Sequence, residues 1–182
     1  MKPLLVMILA LAFVQCSNEK FTIAKGKVGE VTTSTTVKDL DKIFENDSIV
    51  KVLSEGIKGD NYSQDDDEYL IYEKGGKHLL TLVPKEQLDE TSTFKSVEIF
   101  DNRFKTENGI NINSNFGEIN ANVTINNIES SILSAILYID ELNVTMAIDK
   151  EELGLKGFSL QKVTLDQIPD LAKPKSFVVW FN

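Results

Sequence analysis

One cysteine, one histidine, one tryptophan and four prolines are all that the 182 residues contain of those types. A lone Cys16 cannot close an internal disulfide, and with His78 as the sole histidine it cannot complete a tetrahedral zinc site. Basic residues are scarce as well: 19 Lys+Arg stand against 28 Asp+Glu, a formal charge of −9. With a pI near 4.7, nothing supplies the cationic surface that phosphates demand, which argues against a nucleic-acid partner. No apolar run approaches the roughly 20 residues of a membrane-spanning helix. No Pro-rich or Ser/Gly-rich stretch marks a linker, so one domain suffices. The chain also lacks a G-x-S-x-G elbow, an H-E-x-x-H pair, a phosphate-binding loop and any spaced acid pair on a recognisable scaffold. No cofactor or metal is therefore expected.

The N-terminus is where positive information begins. Met1-Lys2 supplies a positive start, Leu4 to Val14 is almost wholly apolar, and Cys16-Ser17-Asn18-Glu19-Lys20 turns polar, the three-part layout of an export signal. Because the single Cys closes the apolar stretch, the segment resembles a bacterial lipoprotein signal, in which that Cys is acylated through sulfur and becomes the first residue of the mature chain. The resemblance implies that residues 1–15 are a signal peptide, that Cys16 is the lipidation site carrying palmitate-type chains, and that residues 16–20 are a tether. Residues 21–182 then form one domain, exported and held on a membrane by lipid on the periplasmic or cell-surface side. Gln15 departs from the small residue usual before such a Cys. Ala10-Leu11-Ala12 offers an ordinary signal-peptidase site, which would give a soluble secreted protein, and an uncleaved anchor is a third option.

A weak internal repeat organises the rest. Gly29 to Leu40 lies against Asn108 to Ile119, 79 residues further on, with almost no identities but matching roles. In each copy a polar N-cap, Thr36 or Asn115, precedes an acid three residues later, Asp39 or Glu118, as in a capping box. Val37, Leu40 and Phe44 then repeat at the spacing of Phe116, Ile119 and Val123, one apolar helical stripe in each copy. Two short helices are predicted, the second weakened by Gly117 and the asparagines that follow it.

Extended segments follow each helix: Ser48–Leu53, Glu68–Tyr72, a Gly75-Gly76 hairpin turn, His78–Val83 and the alternation through Phe94, Val97 and Ile99. In the second half Ile128–Ile139 and Leu142–Ile148 are strand candidates joined at Asp140-Glu141. Thr164 with Gln167 caps a short helical turn. The closing run Phe177–Phe181 shows no alternation, as for a strand covered on both faces or an edge strand with a masked outer face. The predicted fold is α+β: a mostly antiparallel sheet with two short helices on one face, built from two strand-helix-strand repeats with halves at about 21–84 and 104–150.

Gly26-Lys27-Val28-Gly29-Glu30-Val31, Thr106 to Ile110 and Ile168 to Lys173 together resemble the small exported lipoproteins of unknown function common in Bacteroidota. That resemblance implies an envelope location and brings no activity with it. The duplicated layout also resembles two-repeat periplasmic binding scaffolds such as the β-lactamase-inhibitor protein, at the level of fold only.

Candidate chemistry is sparse. His78 reads as a half-exposed strand residue, and any general-base role would rest on it or on a carboxylate. Asp65-Asp66-Asp67-Glu68, with Asp60 and Asn61, reads as a solvated loop, since a dedicated calcium loop would alternate its ligands around a central Gly. Tyr62, Tyr69, Tyr72 and Trp180 are either a carbohydrate platform or, preferably, packing residues. The expected function is a non-catalytic cell-envelope lipoprotein that binds an envelope protein or a ligand such as a glycan. Two other readings are a cell-wall or glycan hydrolase with unidentified carboxylates, and an inhibitor or immunity protein whose acidic sheet face blocks a basic partner. A binder should expose an apolar or aromatic patch on a sheet face; an enzyme should show convergent polar groups in a pocket.

Overall fold

The capping residues set both helices. Before the first, the Asp39 carboxylate accepts from the Thr36 N–H at 2.9 Å and from its hydroxyl at 2.6 Å. Before the second the exchange is reciprocal: the Glu118 N–H donates to Asn115 Oδ1 at 2.9 Å, and the Asn115 N–H to Glu118 Oε2 at 3.0 Å.

The computed structural model describes residues 19–54, 66–158 and 160–181. Cys16 and residues 1–15 therefore lie outside the described residues, as do Asp60, Asn61, Tyr62 and Asp65. A 3₁₀ turn, Glu19–Phe21, leads into β1 (Thr22–Ala24), β2 (Lys27–Val28) and β3 (Val31–Thr32). A second 3₁₀ turn, Val37–Asp39, runs on into α1 (Leu40–Ile43), followed by β4 (Ser48–Val52), β5 (Glu68–Tyr72), β6 (His78–Pro84) and β7 (Phe94–Ile99). The second half holds β8 (Lys105–Thr106), α2 (Phe116–Asn122), β9 (Asn127–Ser130), β10 (Ser134–Ile139), β11 (Val144–Asp149), a 3₁₀ turn at Leu165–Gln167 and β12 (Ser176–Trp180).

The architecture is α+β. Eight strands form one antiparallel sheet in the order β4-β5-β6-β7-β12-β11-β10-β9, so two four-stranded meanders meet where β7 pairs with β12, Val97 opposite Val179. A small sheet, β3-β2-β1-β8, is antiparallel except for the parallel β1–β8 pair. Each half thus continues beyond strand-helix-strand into a complete meander. Ser48 at the start of β4 stands 79 residues before Asn127 at the start of β9, so the sequence offset survives the helix and first strand. It is lost afterwards, because residues 53–67 join the first two strands of one meander and only residues 131–133 those of the other.

Inward-facing residues alternate along β10 and β11, as Ala135, Leu137 and Ile139 and as Val144, Met146 and Ile148, whereas bulges interrupt the alternation in β6 and β7. The inward-facing residues join both helical stripes in a single buried cluster, which places the two helices on the same face of the sheet. Leu40 is 1% exposed and Ile119 0%. Burying a side chain of this size contributes roughly 1.5–3 kcal/mol.

Three expectations need correction here. The second helix is the more regular one, because the segment before β12 packs onto its start: the Phe116 and Gly117 N–H groups donate to the Ala172 and Asp170 carbonyls at 2.8 and 2.9 Å. A side chain at Gly117 would stand 3.2 Å from Asp170 Cβ, so the residue that weakens the helix in isolation permits this close approach. Ile128–Ile139 is not one strand: Ser131 turns the chain, accepting at its hydroxyl from the Ser134 N–H at 2.8 Å, and β9 and β10 form a hairpin. The closing run is a central strand rather than an edge, and only one of its faces is covered. Phe177, Val179 and Phe181 are buried, while Val178 and Trp180 are half-exposed.

Two buried charges tie long connections down. Lys150, 0% exposed, donates from Nζ to the Gln161 carbonyl at 2.9 Å and so holds the segment between β11 and β12. Asp101 accepts from Lys77 at 2.8 Å and from Arg103 at 2.6 Å, and Arg103 reaches on to Glu73 at 2.8 Å, pinning the β5–β6 hairpin against the chain beyond β7. Burial works against ionising Asp101, but these donors prevail and hold its carboxyl down to about 2.

Deleting residues 176–182 should abolish cooperative unfolding. It removes the buried Phe177, Val179 and Phe181 and divides the sheet, a loss of roughly 5 kcal/mol or more against a typical total of about 5–15. A truncated chain melting near the full-length temperature would contradict this. A milder test is the pH dependence of Asp101→Asn. Because the native carboxyl is depressed from 3.8 to about 2, its stabilisation is complete above pH 3.8 and lost as pH falls towards 2. The variant should be less stable by about 1–2 kcal/mol at neutral pH, after allowance for the partly exposed cations, and match the parent near pH 2 in urea melts.

Candidate functional site

Cross-strand pairing puts partners on one face of a sheet, so the register defines what the uncovered face carries. One row crosses all eight strands: Val50, Leu70, Thr81, Glu98, Val178, Thr145, Tyr138 and Asn127. A parallel row brings Glu68, Val83, Ser96 and Trp180 to the same side. On the other flank Ser176, Ala147, Ile136 and Glu129 are aligned. This face is half-exposed along most of its length, with Val50 at 47% exposure, and the two helices lie on the opposite side. Its strand acids are Glu68, Glu98, Glu129 and Asp149, and two lysines reach it from the side: Lys95, at the bulge in β7, pairs with Asp66 at 2.8 Å, and Lys175, just before β12, pairs with Asp149 at 3.2 Å.

His78 sits at one corner. Its imidazole is stacked between Tyr72, with centroids 4.7 Å apart, and Phe100, at 3.9 Å. Nε2 lies 3.1 Å from the Leu80 carbonyl and 3.1 Å from the Thr81 hydroxyl. Since a carbonyl can only accept, Nε2 carries the proton. Burial lowers the His78 pKa, so the ring is neutral over physiological pH. Its polar neighbours are a carbonyl and a hydroxyl rather than an orienting carboxylate, and its donor is already engaged. This is a packing position, as the half-exposed strand reading had it.

Glu98 occupies the middle of the sheet. Burial between Thr81 and Val178, and then the nearby Glu68 charge, raise its pKa. The two glutamates are the closest approach on this face to an acid pair, yet neither lines the cleft described next.

That cleft, about 320 Å³, opens on the same face at the β10–β11 turn. It is lined by Tyr138 and Trp180 together with Ile136, Thr145, Asp140 and Asn143. Both aromatic walls are held in place. Tyr138 Oη donates to Glu129 at 2.9 Å, and Trp180 Nε1 donates to Thr145 Oγ1 at 2.9 Å. Asn143 adopts φ +54° in the turn, where Asn tolerates the left-handed region, and its amide donates to the Trp180 carbonyl at 2.7 Å. The Trp180 N–H returns a bond to the Asn143 carbonyl at 2.8 Å.

The other sequence candidates are dispersed. The aromatic set does not form a platform: Tyr69 points into the core, edge-on to Phe94 at 6.3 Å, while Tyr72 and Trp180 stand at different corners of the open face. The acidic run is not simply a solvated loop. Asp67 is fully buried and accepts from the Ser54 N–H and hydroxyl at 2.8 Å and from the Leu88 N–H at 2.6 Å. Burial alone would raise its pKa, but these three donors outweigh it and lower it. Asp66 pairs with Lys95 at 2.8 Å. Among the described residues no group of three or more His, Cys, Asp or Glu could hold a metal ion. No described helix is long and apolar enough to cross a membrane. Tyr138, Asp140 and Asn143 escape a sequence reading because nothing local marks a turn residue as the wall of a cleft completed by a strand 37 residues later.

No family model matches the chain, and no curated protein matches it significantly. Its fold is similar to the crystal structure of the uncharacterized protein yfeY from Escherichia coli, with a TM-score of 0.59 and 12% identity over 87% of this chain and 99% of that one. At that identity the likeness shows fold alone.

Glu98→Gln should raise the melting temperature at pH 7. A raised carboxyl pKa means that ionisation costs the folded state, a penalty present above the folded pKa and absent below the ordinary value of 4.5. Melting curves of parent and variant should therefore converge near pH 4, and a variant that is less stable at pH 7 would show that Glu98 has a stabilising partner.

Proposed function

We propose that this chain is an exported lipoprotein, acylated at Cys16, whose folded domain is a non-catalytic docking module for another envelope protein. The observation that carries the reading is the uncovered face of the eight-stranded sheet, where one continuous surface presents Val50, Leu70, Val178, Tyr138 and Trp180. An apolar and aromatic strip of this extent, with acids interspersed, is what a protein-binding sheet face requires. The rigid scaffold behind it favours binding with little ordering cost. The anchor rests on the sequence around Cys16. Each acyl CH₂ buried in a bilayer contributes about 0.8 kcal/mol, so two or three chains would hold an acidic domain on the membrane.

Two measurements test the two parts. An alkyne fatty acid fed to cells should label the parent and not Cys16→Ser, and equal labelling would remove the anchor from the proposal. A photo-crosslinking residue at Val178 should give a discrete adduct in intact cells that excess purified domain competes away. The same residue at Asn120, exposed on α2 of the opposite side, should give none. Equal adducts from both positions would remove the docking face.

A further inference from the structure

The cleft between Tyr138 and Trp180 has a definite chemistry, and the geometry points to an occupant: we propose that it is the anchoring subsite of the docking face and takes the guanidinium of an arginine on a basic partner protein. The inference rests on the docking role just argued and specifies the partner's chemistry. Three features select a planar cation. The walls are an indole and a phenol, the two rings best suited to cation–π contact, and both are fixed by hydrogen bonds to neighbouring strands rather than free to collapse into the gap. Asp140 lines the cleft as well, and a carboxylate can receive a guanidinium in a forked pair. Asp140 is the acid that lines it, Glu129 stands on the neighbouring strand, Asp149 further along is paired with Lys175 at 3.2 Å, and the chain carries a net charge of −9, so the balance of charge favours a cation over an anion. Lys25 is the cation that approaches the rim, with Nζ 3.4 Å from the Asp140 carbonyl, and it touches the backbone oxygen rather than the carboxylate. The volume, about 320 Å³, accommodates one long side chain and not a folded segment.

Trp180 is the sole tryptophan of the chain, so intrinsic fluorescence reads this cleft directly. The purified mature chain should be titrated with an acetylated Gly-Arg-Gly amide, its citrulline counterpart of the same shape without charge, and a chito-oligosaccharide. The arginine peptide should give a saturable change in Trp180 emission that weakens with added salt. The citrulline peptide should bind about tenfold more weakly. Asp140→Asn, at an exposed position, and Tyr138→Leu, at a half-exposed one, both checked by circular dichroism, should each weaken the arginine peptide about fivefold to tenfold. Equal affinity for arginine and citrulline, tighter binding of the oligosaccharide, or an emission unmoved at millimolar arginine peptide would each overturn the assignment. If crosslinking from Val178 persists while the arginine peptide fails, the docking face stands and this subsite falls; if both fail, the docking reading goes with it.

Discussion

The large sheet has only one face on which to bury anything, and every other element is placed by that constraint. Both helical stripes, the small sheet and the chain between β11 and β12 pack against the same layer of side chains. A two-layer domain of this size needs no more. Since the layer is shared, the first and second halves cannot be separate folding units even though each has its own helix and its own meander. The uncovered side follows from the same economy of layers: with the described covering elements on one side, the outward residues of eight strands remain to meet something else.

Where the chain encodes structure within a short window, the sequence is legible. Asn115 with Glu118 forms the predicted reciprocal cap, β5 spans Glu68–Tyr72 as expected, and Gly75 and Gly76 carry positive φ, 113° and 88°, although the connection is longer than the two-residue turn expected there, with the Gly76 N–H donating to the Glu73 carbonyl at 2.9 Å. Interactions that bring distant segments together leave no such trace. Nothing around Val97 announces that it will face Val179, and nothing in the acidic run singles out Asp67 for burial under Ser54 and Leu88. The unbroken run Phe177–Phe181 misleads for a related reason. Its outward residues, Val178 and Trp180, are as apolar as its inward ones, and a period-2 pattern cannot be seen when both faces carry hydrophobic side chains. That failure of alternation coincides with the surface proposed for docking, where sequence rules for folding and for function diverge.

The polar groups taken into the interior are structural clasps. Asp67, Asp101 and Lys150 each end a strand or border one, and each is met by donors or acceptors from a connecting segment. Long connections cost entropy to order, and a buried charge with well-placed partners fixes a loop more specifically than an apolar contact can. The open face, by contrast, keeps Glu68 and Glu98 close enough to repel, a tension that a cationic partner would relieve.

The position of β12 has a kinetic meaning. It lies at the centre of the sheet and yet is made last, so that Ser96 waits for Trp180, 84 residues downstream, before the two meanders can join. Until then each half ends in an unpaired strand, β7 in one and β11 in the other, with bare backbone donors and acceptors. Contacts of such long sequence separation close slowly. A chain emerging amino-terminus first would therefore pass through an interval with two sticky edges, and those edges would become safe only when β12 arrived.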